Sequence, residues 1–339
     1  MIYTEIEYRL DAEEDPQRRK RLEQFIIEVV RSLPLFPVEQ AVEIALQTDQ
    51  SLDIYSSANL QEVTQKAERM TIRPAGEWKL LGYTPQSGAR PIHLEIPREG
   101  PVPGPAKTEA HYLFQDMHLE PSAAVLMGRN EQANALLSAT HTWVRRLQKD
   151  FATEQVYRHL DENLVWHCRA KLGNLWKVGA VAAWSDQLGS ASSRQRVNPS
   201  AVGRMPMSPQ LNRHDAWYTF DINSSLGPDD IFAEICLCLA SVLMGYSPQV
   251  WRNPYITPLR GPLRLLECEA ASYLACGRLG APHRKASTEF SRLHTDPVLE
   301  LPAELDWGRV LRTAAEIEDL LRGDTTPVWM DAGATPRGE

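Results

Sequence analysis

Between Ile231 and Met244 the chain reads IFAEICLCLASVLM, apolar on almost every helical face, with Glu234 as its single charge. A helix of that composition must be surrounded by other elements, because any side left open puts hydrocarbon in water. It is too short for a bilayer. The longest uncharged apolar run, Ile235 to Met244, is interrupted by Ser241, and a span needs about 18 or more apolar residues. Ser225 and Pro228 suit its start, Asp229 and Asp230 complement the positive end of the first turn, and Gly245 suits its stop. A second helix, about Pro262 to Gly280, contains LRLLECEAASYLACGRLG, with Leu266, Ala270 and Leu274 or Tyr273 on one side and Gly277 for close packing. Pro282 follows its end.

At 339 residues the chain is long enough for two domains of about 150 residues each. Hydrophobic residues at 43% and charged residues at 24% exclude wholesale disorder, collagen and disulfide scaffolds. The net charge of −8 confines any nucleic-acid surface to a local patch. The opening MIYTEIEYRLDAEED is acidic, without the basic-then-apolar pattern of a signal peptide. Five cysteines, none in a C-x-x-C pair, read as reduced thiols, so the expectation is a cytoplasmic protein with no membrane attachment.

Pro16 opens a segment in which Leu22, Phe25, Ile26, Val29 and Val30 recur at helical spacing, and a further helix follows Pro37 on Val38, Ala41, Val42 and Ala45. Leu52 to Met70 is helical in pieces. From Thr71 Pro and Gly punctuate β-formers. Strands are predicted over 91–97 and 111–114, with a loop across 97–107. Residues 132–171 are helix-rich. The stretch 185–213 loses periodicity and reads as a loop of net charge +3, carrying Arg194, Arg196, Arg204 and Arg213 against Asp186. Trp217 to Ile222 alternates as a strand.

The C-terminal half resembles the ImmA/IrrE-type metallopeptidases and the peptidase half of ArdC-like antirestriction proteins. Those carry a helix of the form H-E-L-A-H-V-L-L-G-H and a later helix E-A-E-A-V-A-Y-L-V-C-R-R-L-G. Here the later helix reads ECEAASYLACGRLG, Glu267 to Gly280, and the earlier one aligns as LCLASVLMGY, Leu237 to Tyr246. The resemblance implies that Leu237 and Ser241 stand where two zinc histidines would be, Cys238 where the catalytic glutamate would be, and Glu269 where the third ligand would be. Two histidines at i and i+4 chelate zinc from one helical face, and a nearby carboxylate then acts on the bound water. Leucine supplies no ligand and serine a poor one. A competing register uses Glu234 as the glutamate, but its flanks, Ala233 and Leu237, supply no ligand either. Cys236, Cys238, Cys268 and Glu269 are numerous enough for a substitute site, against which stands packing as buried hydrophobes. Glu269 reads either as a relic paired with an arginine such as Arg264 or as functional.

The N-terminal half is similar to the domain that precedes the peptidase in ArdC-like proteins. The similarity runs through YSSANLQEVTQKAERMTIRPAGEW, Tyr55 to Trp78, then LGYTPQSGARPIHLEIP, then YLFQDMHLEP. With a late helix around Trp307 to Leu321 it covers most of the chain, most weakly over 1–50 and 122–215. That resemblance implies single-stranded DNA binding. Between Thr64 and Arg98 the net charge is +3, and Arg73, Trp78, Lys79, Tyr83 and Arg90 are the candidate contacts, cations following phosphates while rings stack bases. Trp78 equally suits the core of the small sheet. His93, His111 and His118 flank the strands, and His159 and His167 lie eight apart on a predicted helix.

The expected architecture is α+β. A small ArdC-like domain over 1–121 precedes a helix-rich, zincin-like domain with a short sheet over 122–325, including the loop 185–213, and a tail over 326–339. The expected function is that of a catalytically inactive peptidase relative, without metal or cofactor, that binds single-stranded DNA or a protein partner in a bacterium or on a mobile element. The alternative is an active, divergent zinc peptidase with ligands from Cys238, Glu269 and a histidine outside the helix.

Overall fold

The computed structural model describes residues 2–96, 107–119, 178–198, 200, 216–246, 261–279 and 288–322. The loop predicted after Pro97, the helix-rich stretch 132–171 with His159 and His167, Arg204, Arg213, the boundary at 121 and the tail 326–339 lie outside them. The fold is α+β, and the chain divides into two compact units, 1–146 and 147–339.

Unit one begins with helix α1 (Ile2–Asp11), which the acidic opening concealed: Ile6 and Leu10, one turn apart, are buried while the carboxylates face outward. Asp15 caps α2 (Pro16–Ser32), accepting from the amide of Gln17 at 2.8 Å, with Pro16 pre-set for the first turn. The apolar stripe read from α2 is buried between α3 (Val38–Thr48) and α4 (Leu60–Glu68). At the start of α4, Asn59 accepts from the amide of Glu62 at 3.1 Å, and the Glu62 carboxylate accepts from that of Ala58 at 2.8 Å.

Strands β1 (Ile72–Pro74), β3 (Ile92–Ile96) and β4 (Lys107–Leu113) form an antiparallel sheet in the order β1-β4-β3, while β2 (Tyr83–Pro85) pairs with β5 (Met117–Leu119). The free edge of β3 is covered by amides from α3. Gln47 donates to the carbonyl of His93 at 3.0 Å and accepts from its N–H at 2.9 Å, and Gln40 donates to the carbonyl of Glu95 at 2.8 Å. Two glutamine side chains thereby stand in for a neighbouring strand. The short helix α5 (Ala75–Leu80) drops Trp78 into a core with Leu81 and Met117.

In unit two, β8 (Tyr218–Asn223) lies between β6 (Ala180–Ser185), parallel to it, and β7 (Ser193–Val197), antiparallel. Strand β7 corrects the loop expected over 185–213. Its Ser, Arg and Gln residues are weak strand formers, and it is held by pairing with buried β8 and by Arg196, whose Nε lies 2.6 Å from Asp221. That stretch is therefore not wholly a mobile basic loop. At the entry to the sheet Gly179 has φ +65°, and a Cβ there would come within 2.5 Å of the Trp217 ring, so no side chain fits.

Helix α6 (Pro228–Leu243) is the apolar helix of the sequence, packed against β7, β8, α7 (Pro262–Arg278) and α9 (Trp307–Arg322). It ends as its glycine foretold: Gly245 has φ +71°, with Tyr246 N–H bonded to the carbonyl of Ser241 at 2.9 Å and Gly245 N–H to that of Val242 at 3.0 Å. Two buried polar links fasten the helices. Arg278 on α7 meets Glu318 on α9 at 2.6 Å, and the Tyr246 hydroxyl donates to Glu267, which also accepts from the amide of Asp306 at 3.0 Å. Helix α8 (Glu289–Thr295) packs on α7.

Candidate functional site

Helix α6 is not sealed on every face. Leu237 and Ser241, one turn apart, are half-buried, and Leu237 opens onto a pocket of about 380 Å³ between α6 and α7, counting the solvent at its mouth. Ala233, one turn before Leu237, lines the same pocket, as do Glu269, Ser272, Tyr273 and Cys276 of α7. The Ser272 hydroxyl donates to the carbonyl of Ala233 at 3.1 Å and holds the two helices together beneath it.

Leu237 and Glu269, separated by a whole helix and a connection in sequence, thus meet at one cavity. Ser241 does not line it, and Cys238 points elsewhere. The pair on the pocket wall is Ala233 and Leu237, at i and i+4, the residues that flank Glu234 in the competing register. Glu234 itself is buried and accepts from the Ser193 hydroxyl of β7 at 2.6 Å.

These residues do not fit a zinc ion. Ala233 and Leu237 contribute methyl groups where ligands are needed, leaving Glu269 as the pocket's carboxylate. Glu269 is neither solvated nor set on Arg264, whose guanidinium lies over the Tyr246 ring at 5.2 Å. Its Oε2 accepts from the amide of Phe290 at 2.9 Å, fixing the first turn of α8 beside the pocket. Phe290 in turn stacks on His294.

The thiols do not converge on a substitute centre. Cys236 and Cys276 are free thiols in hydrogen-bond contact, Cys238 lies 3.6 Å from the Ser193 hydroxyl, and Cys268 lies 3.9 Å from the Met244 sulfur. Burial pushes the Cys238 and Cys268 thiols up to about 12 and raises Cys236 as well, so all three are protonated at neutral pH. Among the described residues no group of three or more His, Cys, Asp or Glu side chains is gathered as metal ligands. Nor is any helix there long and apolar enough to cross a membrane.

In unit one the five candidate DNA contacts do not form one surface. Trp78 is 2% exposed, and its indole N–H donates to the carbonyl of Tyr112 at 2.9 Å. This is the core role, and it corrects the stacking one, since neither face of the ring is open to a base. Arg73 lies against Trp78, 3.0 Å from the Glu77 carboxylate. Tyr83 is half-buried with its edge on Trp78, and Lys79 is exposed. Arg90 lines a separate pocket, with Arg9.

An open aromatic beside Trp78 is Phe114, 51% exposed and backed by Tyr83 at 5.5 Å and Trp78 at 5.8 Å. Sequence reasoning missed it: β4 ends at the buried Leu113, one residue short of the predicted strand, and Phe114 opens the turn that follows. Leu80, 46% exposed, follows Lys79 in sequence. Of the histidines beside the strands, His93 and His118 are exposed, while His111 is buried.

No family model, curated protein or solved structure matches the chain.

Proposed function

We propose that this chain is a metallopeptidase relative that works by binding and not by hydrolysis, with single-stranded DNA as the ligand of unit one. The observation that carries the first half is the pocket between α6 and α7: Leu237 and Glu269 share it, Ala233 sits one turn away, and two hydrocarbon side chains occupy the wall from which imidazoles would grip a cation. An active enzyme recruiting Cys238 is disfavoured by that thiol's burial and its turn toward Ser193. A polypeptide side chain of modest size is the second ligand the pocket suits, being apolar at Ala233, Leu237 and Tyr273 with hydroxyls at Ser272 and Thr288.

The DNA half is supported by Phe114, an exposed ring packed against Trp78 and the half-buried Tyr83, with the exposed cation Lys79 next to Trp78 in sequence. Such a platform stacks any base while cations follow the phosphates. The cytoplasm of a bacterium, or of a cell carrying a mobile element, is the setting proposed for it. The test is a salt-dependent anisotropy titration with labelled oligothymidine. Phe114→Ala should weaken binding by about 1–3 kcal/mol, roughly 5- to 150-fold, with the fold intact by circular dichroism. Folded Phe114→Ala protein that binds as tightly as the parent chain would overturn the assignment.

A further inference from the structure

The pocket that holds Arg90 contains about 750 Å³, counting the solvent at its mouth, and is walled by α1, the end of α3, and β3 and β4 with the turn that follows. Arg9 and Asp49 neutralise one another across it at 2.8 Å, and the Tyr55 hydroxyl donates to the same Asp49 oxygen at 2.8 Å, so that group is closed. Two other charges line the pocket without pairing. Arg90 and Asp116 make no ion pair with each other, and among the described residues neither side chain has a hydrogen-bond or ion-pair partner. Asp116 is partly buried, which raises its carboxyl above the ordinary range, while Arg90 is exposed. Pro91, Ile92 and Leu113 supply apolar wall between them.

A ligand edge bridging these two groups must offer donors to a carboxylate and acceptors to a guanidinium, each in a bidentate pair. Among the DNA bases guanine alone carries two adjacent donors, N1–H and the 2-amino group, and two adjacent acceptors, O6 and N7. Adenine sets its N1 lone pair against the carboxylate, cytosine its N3, and thymine flanks one N–H with two carbonyls. We infer that this pocket is a guanine site, with Asp116 on the donor edge and Arg90 on the acceptor edge. The inference rests on the DNA reading above for its strand, with Phe114, two residues before Asp116 in the same turn, taking a base outside the pocket.

The experiment compares the full chain's affinity for an 11-mer of thymidines with that for the same strand carrying one central guanosine, and for GMP against TMP by calorimetry. The guanosine strand should bind roughly ten- to a hundredfold tighter. Asp116→Asn and Arg90→Gln should bring that ratio close to one, whereas Phe114→Ala should weaken both strands and leave the ratio standing. Equal affinity for the two strands overturns the guanine site and leaves the DNA reading intact. Binding of GMP, lost in Asp116→Asn, without binding of either strand keeps the pocket and overturns the DNA reading. Binding of neither strand nor nucleotide overturns both.

Discussion

Replacing Ala233 and Leu237 together by histidine should convert the α6–α7 pocket into a zinc site. The two positions are one turn apart on the pocket wall and Glu269 faces them from α7, its Oε2 already fixed by the Phe290 amide at 2.9 Å. Three ligands then converge, with the fourth position left to solvent. Ala233 is 5% exposed, so an imidazole there overpacks the core, at a cost of about 1–3 kcal/mol. For a unit of this size that lowers the melting temperature by about 2–4 °C per kcal/mol. Zinc at a hundred times its dissociation constant stabilises the fold by about 2.7 kcal/mol and should recover most of the loss. The assay is metal content after dialysis, paired with thermal scans with and without zinc. Leu237→His with Ser241→His serves as the control and should bind no zinc, because Ser241 does not line the pocket. A folded Ala233→His, Leu237→His protein that takes up no more zinc than the parent chain would refute the reading of this pocket as a former metal cradle.

Stability should fall in alkali. The buried thiols of Cys238 and Cys268 titrate at about 12 in the fold and near 8.5 in the unfolded chain, so between those values the unfolded chain has released protons that the folded one retains. Urea midpoints measured from pH 8 to 11 should decline, and Cys238→Ala should flatten the decline; an unchanged slope would remove the thiols as its cause. Gln47→Ala should cost about 1–3 kcal/mol for two lost bonds and leave an open strand edge, read as self-association in light scattering.

Much of the second unit was legible because its helices announce themselves. The apolar run of α6, its glycine stop and the pattern of α7 are local signals and gave the two helices; that Leu237 and Glu269 would share a site was implied only by the resemblance, and the two residues do line one cavity. Local signals did not say which face of α6 that cavity would take. Ala233 is ordinary in a sequence of apolar residues and gains meaning only when α7 is docked. Strand β7 was invisible for a similar reason: the partner that stabilises Ser193–Val197 is β8, and the counter-charge of Arg196 is Asp221, both later in the chain. Trp78 carried two compatible readings until the carbonyl of Tyr112 was found opposite its N–H. That Arg90 and Asp116 line one pocket depends on α1, α3 and β4 meeting, and no spacing in the sequence encodes that.

Arg278 and Glu318 have a consequence for how the protein comes apart. Helices late in a chain usually fray first, since few neighbours hold them. Here, peeling α9 away would strand a guanidinium or a carboxylate inside the protein without its counter-charge, a penalty of about 3–5 kcal/mol. The last described helix is therefore bolted into the middle of its unit, and α7 and α9 should gain and lose protection from hydrogen exchange together, as a single cooperative block.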